Sequence, residues 1–130
     1  MNGIDMQSVE EVAISLEEFG RRYTQRLFTD HEVEDCGEDP ATSAGRFAAR
    51  FAAKEAVLKI LDMREAVPSW RAIEVRDVIG GRARIVLYGE AADLADRQGI
   101  EEISASISHG GGMAIAAVVA KFAAPTKRIS

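Results

Sequence analysis

The sequence predicts a single α+β domain, and three observations lead to that class. First, 130 residues are enough to bury one hydrophobic core and too few for two typical domains. Second, apolar residues recur at helical spacing in the first half, whereas they alternate with polar residues in the second half, as in strands. Third, the predicted order is a β-α-β-β-α-β unit with an added strand. We place this domain at residues 1–121 and a loosely held C-terminal tail at residues 122–130.

The first elements are predicted from a short apolar segment and a capping pattern. Residues 1–6 are mostly apolar, which suits a first strand that carries Asp5 near its end. Ser8 and Glu11 then have the spacing of a capping box, which predicts the start of an amphipathic helix. We expect that helix to end at Gly20.

A long helix is predicted in the middle of the chain. Before it, Thr29 and Glu32 repeat the capping pattern after a second helical piece, and open a short helix that ends near Cys36. Residues 38–42 contain a proline and are predicted to be a connection. Residues 43–64 are rich in alanine and poor in glycine and proline, so propensity alone predicts a long helix there.

The second half predicts two hairpins separated by a helix. Apolar residues alternate with charged residues on both sides of Gly80-Gly81, a pair that suits a tight turn. The expected elements are a hairpin within residues 73–88, a helix at residues 90–98 and a second hairpin within residues 103–120.

Composition excludes several function classes. Sixteen Lys and Arg residues against 21 Asp and Glu residues give a net charge of -5, the wrong sign for a protein that binds nucleic acid or a membrane surface. No apolar run approaches the roughly 20 residues of a membrane-spanning helix. Cys36, the single cysteine, cannot pair within the chain, and no signal segment is evident, so we expect a cytoplasmic protein. No zinc-ligand or Ser-His-Asp spacing is visible either.

The long predicted helix carries a group of charges. Lys54 lies within an apolar arc, Glu55 lies at its flank, and Lys59 follows Glu55 by one turn. An ordinary explanation is an exposed Glu-to-Lys pair, with Lys54 reaching past the aromatic residues to solvent. The alternative is a site for an anionic ligand with a metal ion, which requires a second carboxylate. Asp5 is the candidate, although an Asp before a helix is often only a cap or a solvated strand end.

Two further segments are candidates for contacts with a ligand or partner. Ser108 and His109 precede three glycines whose backbone N–H groups can bind a phosphate, although a hairpin turn also favours glycine. Arg21, Arg22 and Arg26 form the densest basic cluster of the chain. This cluster is either a solvated helix face or a docking site for a small acidic helix.

Three segments have a family-specific pattern. They are Gly3-Ile4-Asp5, Arg50-Phe51-Ala52-Ala53-Lys54-Glu55-Ala56-Val57-Leu58-Lys59 and Ser106-Ile107-Ser108-His109. In this order and spacing they resemble the holo-acyl-carrier-protein synthases, the small group I 4'-phosphopantetheinyl transferases. The resemblance implies the ferredoxin-like 4'-phosphopantetheinyl transferase fold with an added strand, and a homotrimer with active sites between subunits.

The resemblance also implies a reaction. A family member transfers 4'-phosphopantetheine from coenzyme A to a serine of an apo acyl carrier protein, as in fatty acid biosynthesis, and releases adenosine 3',5'-bisphosphate. By position, Asp5 and Glu55 are implied ligands of Mg²⁺, and Glu55 helps to deprotonate the carrier serine, directly or through a metal-bound water. Lys59 is implied to stabilise charge on the phosphates of coenzyme A, so all three residues are candidate catalytic residues.

Binding roles follow from the same resemblance. Lys54, Ser108 and His109 are implied to hold the nucleotide end of coenzyme A together with the catalytic lysine. Arg22 and Arg26 are implied to dock the acidic helix of the carrier protein.

This chain also departs from the family pattern. Ser8 and Glu11 stand where the family has an acidic residue and an arginine, and residues 61–68 replace a glycine-rich segment. Because Glu11 repels a carrier that presents carboxylates there, we expect a specialised carrier protein. The alternative hypothesis is a noncatalytic trimer of the same fold that binds a carrier protein or coenzyme A. The retained acidic pair and its neighbouring lysine favour the enzyme.

Overall fold

The computed structural model describes residues 1–63 and 67–124. Within these residues the chain forms β1 (Asn2–Ser8), α1 (Val9–Phe19), α2 (Arg21–Leu27), α3 (Asp30–Cys36), α4 (Pro40–Ile60), β2 (Ile73–Ile79), β3 (Arg82–Leu87), α5 (Gly89–Gln98), β4 (Ile100–Gly110) and β5 (Met113–Phe122). A single 3-10 turn, Trp70–Ala72, precedes β2. The predicted α+β class and element order are confirmed. Residues 125–130 of the predicted tail lie outside the described residues, and Phe122 belongs to β5.

The five strands form one sheet in the order β1-β5-β4-β3-β2. Strands β2 to β5 follow one another as an antiparallel meander, and β1 joins it beside β5. Every neighbouring pair of described strands is antiparallel. The strands of the predicted β-α-β-β-α-β unit therefore form a meander, and β1 is an edge strand of the sheet. Helices α1 to α4 carry the chain from β1 to β2, which lies at the opposite edge of the sheet.

Helix α4 covers one face of the sheet and contacts β1, β5 and β4. The strand residues below it are small, and β5 alternates buried and exposed positions along its length. At Gly3 the approach leaves no room for a side chain, because an added Cβ would overlap the carbonyl oxygen of Ala56. This contact places the end of β1 directly beside the C-terminal half of α4.

The opposite face of β1 and β5 is exposed and apolar. Its large exposed side chains are Ile4, Met6, Met113, Ile115 and Val119. Met6 and Ile115 are cross-strand partners, so these side chains form one continuous surface, which we call the open sheet face. None of the helices in the described residues is long and apolar enough to cross a membrane.

Both predicted N-caps are present. The Ser8 hydroxyl accepts a hydrogen bond from the Glu11 backbone N–H at 3.2 Å, so Ser8 is the N-cap of α1. Thr29 and Glu32 form a complete capping box at the start of α3.

The predicted bounds of the long helix are wrong at both ends. Of the predicted connection at residues 38–42, residues 40–42 belong to α4, because Asp39 caps this helix by accepting from the Ala41 N–H at 3.0 Å. Pro40 then occupies the first turn, where its missing N–H costs nothing. At the other end Leu61 adopts an extended backbone and is buried in the core, so α4 ends at Ile60.

Candidate functional site

The close contact between β1 and α4 brings Asp5, Glu55 and Lys59 together, and we call this group the carboxylate edge. Lys59 Nζ donates to Asp5 Oδ1 at 2.9 Å and to the Ile4 carbonyl oxygen at 2.7 Å. The second carboxylate oxygen of Asp5 accepts from Gln7 Nε2 at 2.8 Å. Asp5 and Glu55 are far apart in sequence, and the fold makes them neighbours.

The electrostatics of this edge show that the two carboxylates interact. Partial burial raises the pKa of Glu55, the charge of Asp5 raises it further, and Lys59 acts in the opposite direction. Two carboxylates that repel each other beside one exposed lysine form a site that favours an added cation.

The donor set of this edge fits Mg²⁺. No cluster of three or more His, Cys, Asp or Glu side chains occurs among the described residues, so a metal cage made only of protein groups is not present there. Magnesium instead binds through one or two carboxylates and takes the remaining oxygens from water and substrate phosphates. Asp5 and Glu55 are the two groups that would hold it.

The Lys54 side chain lies inside the protein and not at the carboxylate edge. Its side chain is fully buried, and its Nζ forms an ion pair with Glu32 Oε1 at 2.5 Å. The same Nζ donates to the Leu27 carbonyl oxygen at 2.7 Å and to the Trp70 carbonyl oxygen at 3.1 Å. Three donors therefore meet three protein acceptors, and the nucleotide contact implied for Lys54 has no geometric support.

Burial of this ammonium has an electrostatic cost. Desolvation lowers the pKa of Lys54, and the neighbouring Glu32 carboxylate partly offsets that effect. The Lys54 Nζ also lies 5.1 Å from the centre of the Phe28 ring. The expectation that Lys54 reaches solvent is therefore wrong, because the charge is stabilised inside the protein.

Ser108 and His109 lie at a different place, in a cleft of about 560 Å³ that we call the cationic cleft. Arg46 and Arg50 of α4 line the same cleft. Its other lining residues are Asp35, Ala49, Val78, Gly81 and Ile107. Two guanidinium groups and an imidazole around one cleft form a site suited to phosphate.

Arg50 is the least expected member of this cleft. It is 5% exposed, its Nη1 donates to the Arg46 carbonyl oxygen at 3.2 Å, and its Nε has no hydrogen-bond partner among the described residues. A buried donor without a partner is costly unless a ligand accepts from it. The His109 ring lies against Gly45, where an added Cβ would come within 2.7 Å of the imidazole Nδ1.

Sequence reasoning missed Arg46 and Arg50, although a signal was present. The repeated Arg-Phe-Ala-Ala unit spaces the two arginines four residues apart, which places them on one helix face. Only the fold shows that this face meets the end of β4.

The carboxylate edge and the cationic cleft lie on opposite flanks of α4. Arg46 and Arg50 precede Glu55 and Lys59 by nine residues each. At about 100° per residue, nine residues correspond to two and a half turns. One chain therefore presents its carboxylates and the arginines of the cationic cleft to different sides of the helix.

Arg22 and Arg26 line a third region, a cleft of about 500 Å³ that we call the docking cleft. Phe19, Tyr23 and Trp70 are among its other lining residues. Aromatic side chains and two arginines around one cleft match an amphipathic, acidic partner helix.

Comparisons with known proteins show similarity over most of the chain. The sequence model of one protein family, the 4'-phosphopantetheinyl transferase superfamily, matches residues 1–118 of this chain. The holo-acyl-carrier-protein synthase of Koribacter versatilis is 40% identical over 119 residues, which are 90% of this chain and 94% of the relative. That of Desulforudis audaxviator is 38% identical over 118 residues, 91% of this chain and 89% of the relative.

Solved structures show the same similarity. The Helicobacter pylori holo-acyl-carrier-protein synthase in complex with coenzyme A has a TM-score of 0.76 and 28% identity, and the match covers 93% of this chain and 100% of that one. The ACPS–CoA complex of Chronobacterium ammoniagenes has a TM-score of 0.75 and 27% identity, with coverage of 95% and 97%.

Proposed function

The chain belongs to the 4'-phosphopantetheinyl transferase superfamily, and we propose that it is a magnesium-dependent holo-acyl-carrier-protein synthase. It transfers 4'-phosphopantetheine from coenzyme A to a serine of an apo acyl carrier protein, in the cytoplasm, and serves lipid metabolism. The observation that carries this proposal is the convergence of Asp5, Glu55 and Lys59 at one edge of the fold.

The reaction exchanges one P–O bond for another. The carrier serine Oγ forms a bond to the phosphorus that bears the pantetheine arm, and the bond from that phosphorus to the leaving adenosine 3',5'-bisphosphate breaks. Glu55 accepts the serine proton, directly or through a water molecule. Lys59, which is 53% exposed, stabilises charge on the phosphates. Asp5 and Glu55 would hold a magnesium ion, which would supply further neutralisation of the phosphate charge.

The cationic cleft binds the nucleotide end of coenzyme A. Ser108 and His109 were implied for this role by the family resemblance, and Arg46 and Arg50 add two guanidinium groups beside them. The unpartnered Nε of Arg50 supports this assignment, since a phosphate oxygen would satisfy it.

Complete active sites form between copies of the chain. Because the cleft and the carboxylate edge lie on opposite flanks of α4, a nucleotide in the cleft of one copy meets the carboxylate edge of the next. Such a contact joins two different surfaces, and contacts of this kind form a ring when the rotation between copies closes. The open sheet face adds an apolar surface of the kind that marks a protein interface. A homotrimer is the ring that we propose.

The docking cleft receives the carrier protein, with Arg22 and Arg26 facing its acidic helix. Glu11 is exposed in the first turn of α1, which directly follows β1, so it adds a negative charge close to the end of that strand. We therefore propose a specialised carrier with fewer carboxylates opposite Glu11 than an ordinary fatty-acid carrier has.

Intact-mass analysis tests this function. A panel of apo carrier proteins is incubated with coenzyme A and magnesium, and each is weighed for the gain of one phosphopantetheine group. We expect a gain on at least one carrier, and none when the metal is chelated. The carrier modified fastest identifies the substrate class.

Glu55→Ala provides the matched variant. It should remain folded and oligomeric, and should lose about 99% or more of the transfer rate, since it removes both a base and a metal ligand. Wild-type turnover in this variant would refute the site assignment. If the wild-type protein binds coenzyme A in calorimetry but transfers nothing to any carrier, the noncatalytic binding trimer is favoured.

A further inference from the structure

The corner between α2 and α3, residues 27–29, is held by two cations from other parts of the chain. Lys54 Nζ donates to the Leu27 carbonyl oxygen at 2.7 Å, and Arg71 Nε donates to the Phe28 carbonyl oxygen at 3.0 Å. The Phe28 side chain between them is fully buried, with its ring centre 4.7 Å from that of Phe47. Both backbone and side chain of this corner are therefore attached to α4 and to the segment before β2.

Glu32 completes the junction from the other side. Its Oε1 accepts from the Thr29 N–H at 2.9 Å and pairs with Lys54, while its Oε2 accepts from the Val75 N–H at 2.9 Å. One fully buried carboxylate thus joins the corner, the long helix and β2. Helix capping alone requires only the first of these three bonds.

The junction connects the docking cleft with the catalytic helix. Leu27 and Trp70 line the docking cleft, and their carbonyl oxygens are the two backbone acceptors of Lys54. Lys54 directly precedes Glu55 on α4, so its ammonium ties two walls of the cleft to the backbone that carries Glu55. Arg71 joins the same two walls to each other, because its bond runs from the residue after Trp70 to the Phe28 carbonyl oxygen.

We propose that Arg71 and Lys54 are positioning residues for the transfer reaction. They hold the docking cleft at a fixed distance from Glu55, so that a docked carrier presents its serine to the carboxylate edge. This inference rests on the proposed function. It assigns Lys54 a part in catalysis without contact with coenzyme A.

Arg71→Met is the first test, because this side chain is 45% exposed and its loss leaves no buried charge. Displacement of the docked serine reduces the rate more than the affinity. We expect kcat for the carrier to fall about tenfold, whereas KM for the carrier and the affinity for coenzyme A change by less than about twofold.

Two controls separate positioning from charge. Asp30→Ala removes the exposed ion pair of Arg71 but leaves the bond to Phe28, so kcat should stay at the wild-type value. Arg84→Met removes an exposed Arg–Asp pair of the same type on β3, and should also leave kcat unchanged. A rise in KM that salt modulates, with kcat unchanged, would make Arg71 a docking charge and overturn the proposal.

Lys54→Met/Glu32→Gln tests the buried connection. The two substitutions remove both charges together, and transfer is measured at a temperature where circular dichroism shows a folded protein. A folded double variant with wild-type kcat would overturn the role of Lys54. If the wild-type protein itself transfers nothing to any carrier, the proposed function fails instead.

Discussion

Two lysines on the same helix, five residues apart, have opposite environments. Lys54 is fully buried, and three protein oxygens surround its ammonium. Lys59 is 53% exposed and lies across the open carboxylate edge, where a substrate can displace its contacts. Identical side chains thus have opposite environments, one buried and paired and the other open to the substrate that we propose, and the difference depends on which flank of α4 each occupies.

The largest expected effect comes from breaking the buried pair. Lys54→Met leaves the Glu32 carboxylate buried without its cation, which typically costs about 3–5 kcal/mol of unfolding free energy. Denaturant unfolding followed by circular dichroism measures this loss. Lys54→Met/Glu32→Gln removes both charges and should recover at least half of it. An unchanged midpoint in Lys54→Met would show that the ammonium is not needed inside the protein.

Lys59→Met tests the exposed lysine of the two. Because exposed ion pairs contribute little to stability, the free energy of unfolding should change by less than about 1 kcal/mol. The transfer rate should fall about 100-fold, equivalent to about 2.7 kcal/mol of transition-state stabilisation. Single-turnover transfer assays measure the rate. A large loss of stability with an unchanged rate would reverse the roles of the two lysines.

The smallest expected effect concerns Glu55 and pH. Since the folded chain raises the pKa of this carboxyl, the charged form is less favourable in the folded state than in the unfolded state. This cost is present at neutral pH and disappears below the unfolded pKa of about 4.3, where the carboxyl is protonated in both states. Glu55→Gln should therefore unfold at a slightly higher temperature than the wild type at pH 7, but not at pH 4.

The size of that effect is limited by solvent, because Glu55 is only partly buried, and we expect less than about 1 kcal/mol. Thermal melts of both proteins across this pH range measure it. A variant that is less stable than the wild type at pH 7 would contradict the raised pKa.

Much of the fold could be predicted from local signals. The caps at Ser8 and Thr29 and the two hairpins depend on neighbouring residues alone, so the sequence shows them directly. The start of α4 at Pro40 was missed because a proline reads equally as a connection or as a first helical turn. Its end at Ile60 depends on Leu61 entering the core, which is a tertiary event.

The candidate site was predicted less completely. Asp5, Glu55 and Lys59 were identified from their family pattern, and the structure brings them together. The interpretation of Lys54 as a nucleotide contact was not supported, since an amphipathic pattern does not show whether a lysine meets solvent or buried acceptors.

By itself, then, the sequence determined the α+β class, the caps, the turns and the family pattern around Glu55, since these follow from residues close together in the chain. Only the tertiary structure decided which side of α4 each charge occupies, that Arg50 lines a cleft with His109, and that Glu32 joins three segments. The physical reason is burial: the cost of an unpaired charge or donor depends on partners that folding brings from distant parts of the chain.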